Sequence, residues 1–381
     1  MAGIYLHIPF CKRRCIYCGF YSTTRDELRG DYVSALCQEL RMRKEELNGE
    51  PVRTVYLGGG TPSQLREEDL HKLFDCLTET YGLTKCEEIT MEANPDDLTD
   101  AYVGMLRGLP INRLSMGIQT FDDQTLQLLQ RRHTAQQAKE AVRRCREAGF
   151  TNISIDLIYG LPGQTMELWE KDLKQAIDLG VEHLSAYSLM YEEGTTLWKL
   201  LQEHKVAEAD EELSLHCYQR LMERLEEAGY EHYEISNFAR PGYASKHNSC
   251  YWDGTHYLGC GAAAHSYDGR RRQWNVSSLT DYLRSIGEGK IPAEWEELDL
   301  YTRYNDRIVT ALRTRKGLSL KALHDEFGDE LYRYCLQSAF PALESKLLKI
   351  EEDTLRLTRE GIFISDGIMS DLLWVDDDEA L

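Results

Sequence analysis

No stretch of this 381-residue sequence approaches the run of about 20 apolar residues that a membrane-spanning helix needs, so no helical anchor is expected. The apolar start, residues 4–10, is short, contains His7, and carries its basic residues behind it, the reverse of a secretory signal. Positive charge is scarce as well: 44 Lys and Arg stand against 64 Asp and Glu, a formal net charge of −20. Nucleic-acid binding draws on surplus cations to neutralise phosphates, so no such partner is expected. A disulfide frame is also missing. The 11 cysteines are odd in number and irregularly scattered, which suits a reducing compartment and predicts a cytoplasmic protein. Neither a repeat of solenoid length nor a low-complexity tract interrupts the chain. The acidic ending Val375-Asp376-Asp377-Asp378-Glu379 reads as a solvated tail.

What the sequence does have begins at its eleventh residue. Cys11, Cys15 and Cys18 fall together in the run PFCKRRCIYCGFYS. The spacing C-x3-C-x2-C puts three thiols on one short loop, close enough to serve a single inorganic cluster. A four-iron cluster ordinarily takes four cysteine thiolates, so three would leave one iron open to a ligand that is not a side chain. A tetrahedral zinc site asks for a fourth nearby Cys or His, and the next cysteine is Cys37. Three inert, apolar cysteines would sit oddly beside Lys12, Arg13 and Arg14, whose charges favour thiolates. The cluster is the preferred reading.

Behind this loop, short apolar runs alternate with amphipathic helices. Strands are predicted over residues 4–9, 52–57, 88–93, 113–118, 153–159 and 182–189, and helices over 31–47, 67–80, 98–107, 134–148, 166–179 and 211–228. Such alternation implies βα units and a parallel sheet, rolled by right-handed crossovers into a barrel or a doubly wound sheet. Conspicuous polar and glycine residues follow strand after strand: the cysteines, Gly58-Gly59-Gly60-Thr61-Pro62, Glu92-Ala93-Asn94-Pro95, Gly117-Ile118-Gln119 and Asp156-Leu157-Ile158-Tyr159-Gly160. This favours the barrel, where all strand C-termini open on one face and chemistry collects there. From about Arg240 the pattern turns loop-rich, heavy in Gly, Tyr, Trp and His. Residues 298–314, 318–327 and 331–346 then read as helices and 348–357 as strand-turn-strand. That ending is a small helical domain with a wing, expected to pack against the barrel mouth. The predicted organisation is a barrel over 1–235, a connecting region over 236–290 and a C-terminal domain over 291–381.

The cysteine spacing after the first strand, the Gly-Gly-Gly-Thr-Pro turn after the second, and the strand-end Glu, Gln and Asp resemble the radical S-adenosylmethionine (SAM) superfamily. The resemblance implies an α/β fold: a partial (βα)6 TIM-like barrel with a C-terminal, mainly helical, winged-helix-like domain. It implies that Cys11, Cys15 and Cys18 hold a [4Fe–4S] cluster whose open iron is chelated by the methionine part of SAM. Tyr5 would lie beside the cluster and the cofactor. Gly59, Gly60 and Thr61 would receive the amino end and backbone of the methionine, an approach that a Cβ would obstruct. Glu92, Gln119, Arg131 and Asp156 would reach its carboxylate, ribose and neighbouring polar atoms, and Ala186 would line the adenine side. Each has a plainer reading alone: a glycine run is a common tight turn, a carboxylate can cap a helix, and Arg131 could be an exposed helix-end cation. Their recurrence in the expected order at successive strand ends outweighs those readings.

Within the superfamily, the chain resembles the coproporphyrinogen dehydrogenase group over nearly its whole length, with two departures. The oxidative decarboxylase of that group carries C-x3-C-x2-C-x-C, where this chain has Phe20 in the last position. It also carries a long N-terminal extension before the first strand that this sequence does not show. A second run, His247-Asn248-Ser249-Cys250-Tyr251-Trp252, is followed by Leu258-Gly259-Cys260-Gly261-Ala262-Ala263-Ala264-His265. H-N-x-x-Y-W together with C-x3-C-x2-C-x-F resembles the HemW-type haem chaperones. That resemblance implies a protein that binds haem and passes it to acceptor proteins, with His247 on the iron and Tyr251 and Trp252 as flat apolar surface for the porphyrin. A hydrogen-bonded structural histidine, and a Trp252 that only plugs the barrel, are the plainer alternatives. His256 and His265 are candidates for a second ligand. Arg270, Arg271 and Arg272 could pair with haem propionates, although a solvated run is the simpler reading. The alternative function is a radical enzyme, an oxygen-independent coproporphyrinogen III dehydrogenase in which cleavage of SAM gives a 5′-deoxyadenosyl radical that abstracts hydrogen from a porphyrinogen side chain, or another radical enzyme acting on a tetrapyrrole, which no feature of the sequence selects. Phe20 and the missing extension count against it. A homodimer and peripheral membrane contact are both compatible with a chaperone, but no basic amphipathic helix supports the membrane contact.

Overall fold

The computed structural model describes residues 1–375, so the acidic ending from Asp376 onward lies outside the described residues. Twelve strands form one sheet. They are β1 (Ala2–Ile8), β2 (Val52–Gly59), β3 (Glu88–Ala93), β4 (Arg113–Gln119), β5 (Ile153–Tyr159), β6 (His183–Ser188), β7 (Glu231–Glu234), β8 (Asn237–Ala239), β9 (Tyr257–Cys260), β10 (His265–Tyr267), β11 (Arg271–Asn275) and β12 (Ala293–Glu297). Their spatial order is β12-β11-β10-β9-β1-β2-β3-β4-β5-β6-β8-β7. The block from β9 through β1 to β6 is parallel, and the strands beyond it on either side are antiparallel to their neighbours. The edge strands β12 and β7 are not joined, so the barrel is partial.

All six predicted strands are present. The stretch after Arg240 is not the loop-rich connection expected: it supplies β9, a seventh parallel strand beside β1, and the helices Lys246–Asp253 and Leu279–Gly287. Its strands are 3 to 5 residues long and mix glycine with aromatics, too short for an alternating pattern to register.

Alternation along each strand divides the molecule into an apolar shell and a polar lumen. Ile4, Leu6 and Ile8 of β1, Val55 and Leu57 of β2, and Leu114, Met116 and Ile118 of β4 are buried in the core that the surrounding helices complete. The opposite faces carry Tyr5, His7, Thr54, Tyr56, Glu92, Arg113 and Asp156. The flanking helices begin where side chains can hold their first amides: Thr134 and Gln137 cap Ala135–Glu147 reciprocally, and Thr165 caps Met166–Asp178.

One buried carboxylate locks the far part of the chain onto the first helix, Arg29–Met42. Glu39, wholly buried, accepts from Arg43 Nη1 (3.0 Å), the Gly261 amide (2.8 Å), Asn275 Nδ2 (2.7 Å) and the Tyr282 hydroxyl (2.7 Å). Arg43 in turn donates to the Gly259 carbonyl (2.8 Å) and Ser266 Oγ (3.2 Å).

The C-terminal unit has its own core around Tyr304, Ile308, Leu323, Phe327 and Leu331. Its small sheet joins β13 (Leu318–Ser319), β14 (Leu348–Glu351) and β15 (Thr354–Leu357), the wing that the sequence predicts. Glu352 and Asp353, both at positive φ, make its two-residue turn. The two helices predicted over 318–346 are both present between Leu320 and Glu344, parted at Gly328, whose φ of 77° and ψ of −179° are not helical. This unit does not pack against the barrel mouth. Its helix Leu300–Leu312 lies against the helix Lys246–Asp253, at the strand-start end, and spans the sheet's open side. Asp306 pairs with Arg272 of β11, one strand in from one edge, and Arg313 pairs with Glu234 of β7 (2.9 Å) at the other edge.

Glu39→Ala is expected to destabilise the protein by about 3 kcal/mol or more: Arg43 keeps Glu46, but the Gly261 amide, Asn275 Nδ2 and the Tyr282 hydroxyl lose their buried acceptor. The shift of the urea midpoint against wild type checks this, and an unchanged midpoint would show the cluster to be dispensable.

Candidate functional site

The chain leaves β1 through Pro9 and turns at once into the cysteine loop. Backbone bonds pin that loop: Cys11 N donates to Thr23 O (2.8 Å) and Thr23 N to Pro9 O (2.7 Å). The thiols of Cys11, Cys15 and Cys18 are free and half-buried, and each of Cys11 and Cys18 feels the other two or one of them electrostatically. Burial pushes the Cys11 thiol up and that of Cys18 to about 11. Lys12 and Arg13 turn away, to Asp97 (3.3 Å) and Gln130 (3.2 Å). Arg14 acts on Cys18 through its charge, and the cation in contact with a thiol is Arg131, whose Nη1 lies 3.4 Å from Cys15 Sγ. Its Nη2 donates to Asn94 Oδ1 (2.6 Å) and to the Gly117 carbonyl, while its buried Nε has no protein partner. Among the described residues, no three His, Cys, Asp or Glu side chains converge tightly enough to hold a single metal ion. A four-iron cluster is a larger body, and the donors present suit it: three free thiols on one loop and a buried guanidinium with one unsatisfied donor. A cleft of about 740 Å³ also borders Cys11, lined by Lys12, Arg66, Asp97 and Tyr102 among others. None of the lumen carboxylates lines it.

Thr61 sits 3.3 Å from Cys11 through its hydroxyl, so the turn after β2 meets the loop after β1. The two glycines ahead of it are constrained by protein neighbours. Gly59 has φ of +115°, and a Cβ there would come within 2.7 Å of the His7 ring; a Cβ on Gly60 would come within 2.7 Å of the Pro9 backbone. His7 carries no signal in the sequence beyond being a histidine in an apolar strand, yet it organises this corner. Its Nε2 must donate to the Tyr21 carbonyl (3.0 Å), which leaves Nδ1 to accept from the Tyr5 hydroxyl (3.1 Å).

Glu92 lies deeper. It accepts from the Tyr56 hydroxyl (2.8 Å) and the Gly59 amide (3.2 Å). Burial raises its pKa to about 7, with the Asp156 charge adding to the shift. Asp156 rises to about 6, also through burial, against the pull of Ser185, Arg113 and Arg131. Gln119 stands at a bulge between β4 and β5 with φ of 74°, a left-handed geometry that re-aims the strand end beside Gly117 and Arg131. Tyr5, Gly59, Gly60, Thr61, Glu92, Gln119, Arg131 and Asp156 thus gather at the strand ends and in the lumen below them. Ala186 stands apart: its side chain is buried in the outer shell with Leu184, and its amide donates to Ser236 O (2.9 Å).

The second motif occupies the opposite end of the lumen. The H-N-x-x-Y-W run lies on the helix Lys246–Asp253, not on a loop. Glu88, the first residue of β3, accepts from the amides of Lys246 and His247 (both 2.9 Å), placing a carboxylate on the positive end of that helix. His247 is 0% exposed. Its Nδ1 pairs with Thr54 Oγ1 (2.8 Å) and its Nε2 with the Tyr251 hydroxyl (3.0 Å), and its ring stacks on Tyr56 (5.1 Å). Burial and Arg113 lower its pKa to about 3. Iron could reach this imidazole only by displacing Tyr251. Trp252 packs under the Arg313 guanidinium (5.0 Å). His256 is tied to Glu50 (3.1 Å), whereas His265 is exposed beside Trp274. The arginine run is not simply solvated: Arg271 stacks on Trp295 (4.8 Å) and Arg272 pairs with Asp306 and Glu296.

A carboxyl whose pKa is higher folded than unfolded binds more protons in the native state, so stability falls as pH rises between the two values. For Glu92 that window runs from about 4.5 to about 7. Glu92→Gln is expected to flatten the decline of the melting temperature across this window in protein free of cofactor. Parallel slopes for variant and wild type would assign the decline elsewhere.

Against known families, residues 5–176 match the Radical SAM superfamily and residues 298–364 the HemN C-terminal domain. Heme chaperone HemW from Bacillus subtilis (strain 168) is 34% identical over 381 residues, covering 98% of this chain and 99% of the relative. Heme chaperone HemW from Synechocystis sp. is 38% identical over 400 residues, covering 97% and 95%. The solved coproporphyrinogen III oxidase (HemN) from Escherichia coli shares the fold, with a TM-score of 0.86 at 24% identity over 97% of this chain and 89% of that one. With such identity sustained from end to end, this chain belongs to the HemW family, within the radical SAM superfamily.

Proposed function

We propose that this chain is a haem chaperone, which binds haem and passes it to acceptor proteins from a scaffold carrying a [4Fe–4S] cluster and SAM. The observation that supports this most directly is the end-to-end match to relatives named heme chaperone HemW. Cys11, Cys15 and Cys18 would hold the cluster. Tyr5, Gly59, Gly60, Thr61, Glu92, Gln119, Arg131 and Asp156 would receive SAM, with Ala186 offering main chain at its adenine side. When bound, the pair supplies one-electron chemistry at the strand ends. The protein's own groups prepare the place: Arg131 offsets thiolate charge at Cys15, and the His7 tautomer turns the Tyr5 hydroxyl toward Nδ1. Glu92 and Asp156 carry raised pKa values that let either hold a proton near neutrality.

Haem is the cargo. Ligation by His247 would require the imidazole to give up Tyr251 and the helix Lys246–Asp253 to shift. Among the described residues no helix is long and apolar enough to cross a membrane. We place the protein's work in the cytoplasm, where unframed cysteines stay reduced.

Titrating haem into the anaerobically reconstituted protein should give saturable binding near one equivalent per chain, weakened in His247→Ala. No binding by wild type would remove the chaperone reading. Cys15→Ser is expected to lose reconstituted iron and the broad visible absorption of the cluster while its far-UV circular dichroism is unchanged; full iron content in that variant would show that the loop does not hold the cluster. Anaerobic incubation with coproporphyrinogen III, SAM and a reductant should leave the substrate intact, and decarboxylated product would restore the enzyme reading.

A further inference from the structure

His265 stands out among the histidines of the lumen. In β10 it pairs in register with Trp274 of β11, and Tyr267 pairs with both Arg272 and Tyr257. Tyr257 aligns with Gly3 of β1, so alternation places Tyr257, Tyr267, His265 and Trp274 on the sheet face that carries Tyr5 and His7. The electrostatic effect of His265 on His7 agrees with that placement. The side chain of His265 is exposed, and no hydrogen bond among the described residues reaches either ring nitrogen. His7, His183 and His247 line the same lumen with both ring nitrogens engaged.

Its surroundings are flat and its backbone is held. Gly261, Ala262, Ala263 and Ala264 precede it, and Ala263 turns the chain into β10 at φ of 60°. The Trp274 ring lies 6.4 Å away, tilted by 32°. Asn275 N donates to Ala264 O (2.9 Å), and Ser266 is gripped by Arg43 and by the Gly259 amide (2.9 Å). The buried Glu39 cluster therefore fixes the residues on both sides of an imidazole whose ring nitrogens accept or donate no hydrogen bond among the described residues. A free imidazole on a rigid support beside an indole face suits a planar, apolar metal complex that needs one axial nitrogen.

We infer that His265 is the residue this chain presents to the iron of bound haem, with Trp274 against the macrocycle. His247 is then a positioning residue, which holds Tyr251 and the lower wall of the lumen. The inference rests on the haem-chaperone reading. It is tested by titrating ferric haem into full-length wild type, His265→Ala and His247→Ala, with affinity and the absorption and electron paramagnetic resonance spectra of each complex recorded. His265→Ala, at an exposed site, should weaken binding about tenfold or more, change the ligation spectrum, and recover the wild-type spectrum on addition of free imidazole. His247→Ala should weaken binding while keeping the wild-type spectrum; Tyr251→Phe, which spares the imidazole, should behave the same way and covers the case in which His247→Ala fails to fold. Wild-type affinity and spectrum in His265→Ala would overturn the assignment, as would weakening that imidazole does not rescue. Absence of binding in wild type would instead remove the chaperone reading itself.

Discussion

The Glu39–Arg43 pair is the constraint on which the working surfaces of this protein depend. A carboxylate and a guanidinium withdrawn from water are costly unless every lone pair and proton is engaged. Here the partners are contributed by chain more than 200 residues away: Gly259, Gly261, Ser266, Asn275 and Tyr282. Glu46 adds a local partner for Arg43, but the remaining acceptor sites of Glu39 and donors of Arg43 are filled only when the segment carrying β9, β10 and β11 has docked. Docking of that segment sets the seventh parallel strand beside β1 and carries the exposed His265 to the inner face. Stability and the shape of the lumen are thereby tied to the same few bonds.

A second constraint follows from the polar interior. Closed parallel barrels are usually packed solid with branched apolar side chains. In this partial barrel the apolar residues face the helices, and the inward positions hold tyrosines, histidines, Glu92, Arg113 and Asp156. Such a lumen cannot stabilise itself by hydrophobic packing alone, and it holds together through hydrogen bonds such as Tyr56 to Glu92 and His183 to Tyr233. The raised pKa values of Glu92 and Asp156 are the electrostatic cost of that arrangement, and they put proton exchange within reach of the strand ends.

Much of the framework was legible from residue order. The six βα strands follow from short apolar runs that alternate with amphipathic helices, and the cysteine loop, the glycine turn and the strand-end carboxylates announce themselves by position. The part that was not legible rests on long-range partners. Nothing near Glu39 or Glu88 suggests that one gathers Gly261, Asn275 and Tyr282 while the other caps the helix bearing His247. His7 reads as one polar residue in a strand until Tyr5, Tyr21 and Gly59 close around it. β9 to β11 are too short for periodicity to reveal, so their stretch looked like loop. The motif histidine was visible, but its burial was not, because burial belongs to Thr54, Tyr56 and Tyr251 together. The position of the C-terminal unit is hidden for the same reason: contacts such as Arg313 to Glu234 leave no local trace in the sequence.

The helix Leu300–Leu312 acts as a strut between the two unjoined margins of the sheet. In a closed barrel, strand number fixes the bore, and widening it means breaking ladder bonds. Here the gap is bridged by side-chain pairs about two helical turns apart, Arg272 with Asp306 in the middle of the helix and Glu234 with Arg313 at its C-cap. The width of the opening is therefore set by side-chain pairs on one helix and not by the strand ladder, so it can change without any strand losing its register.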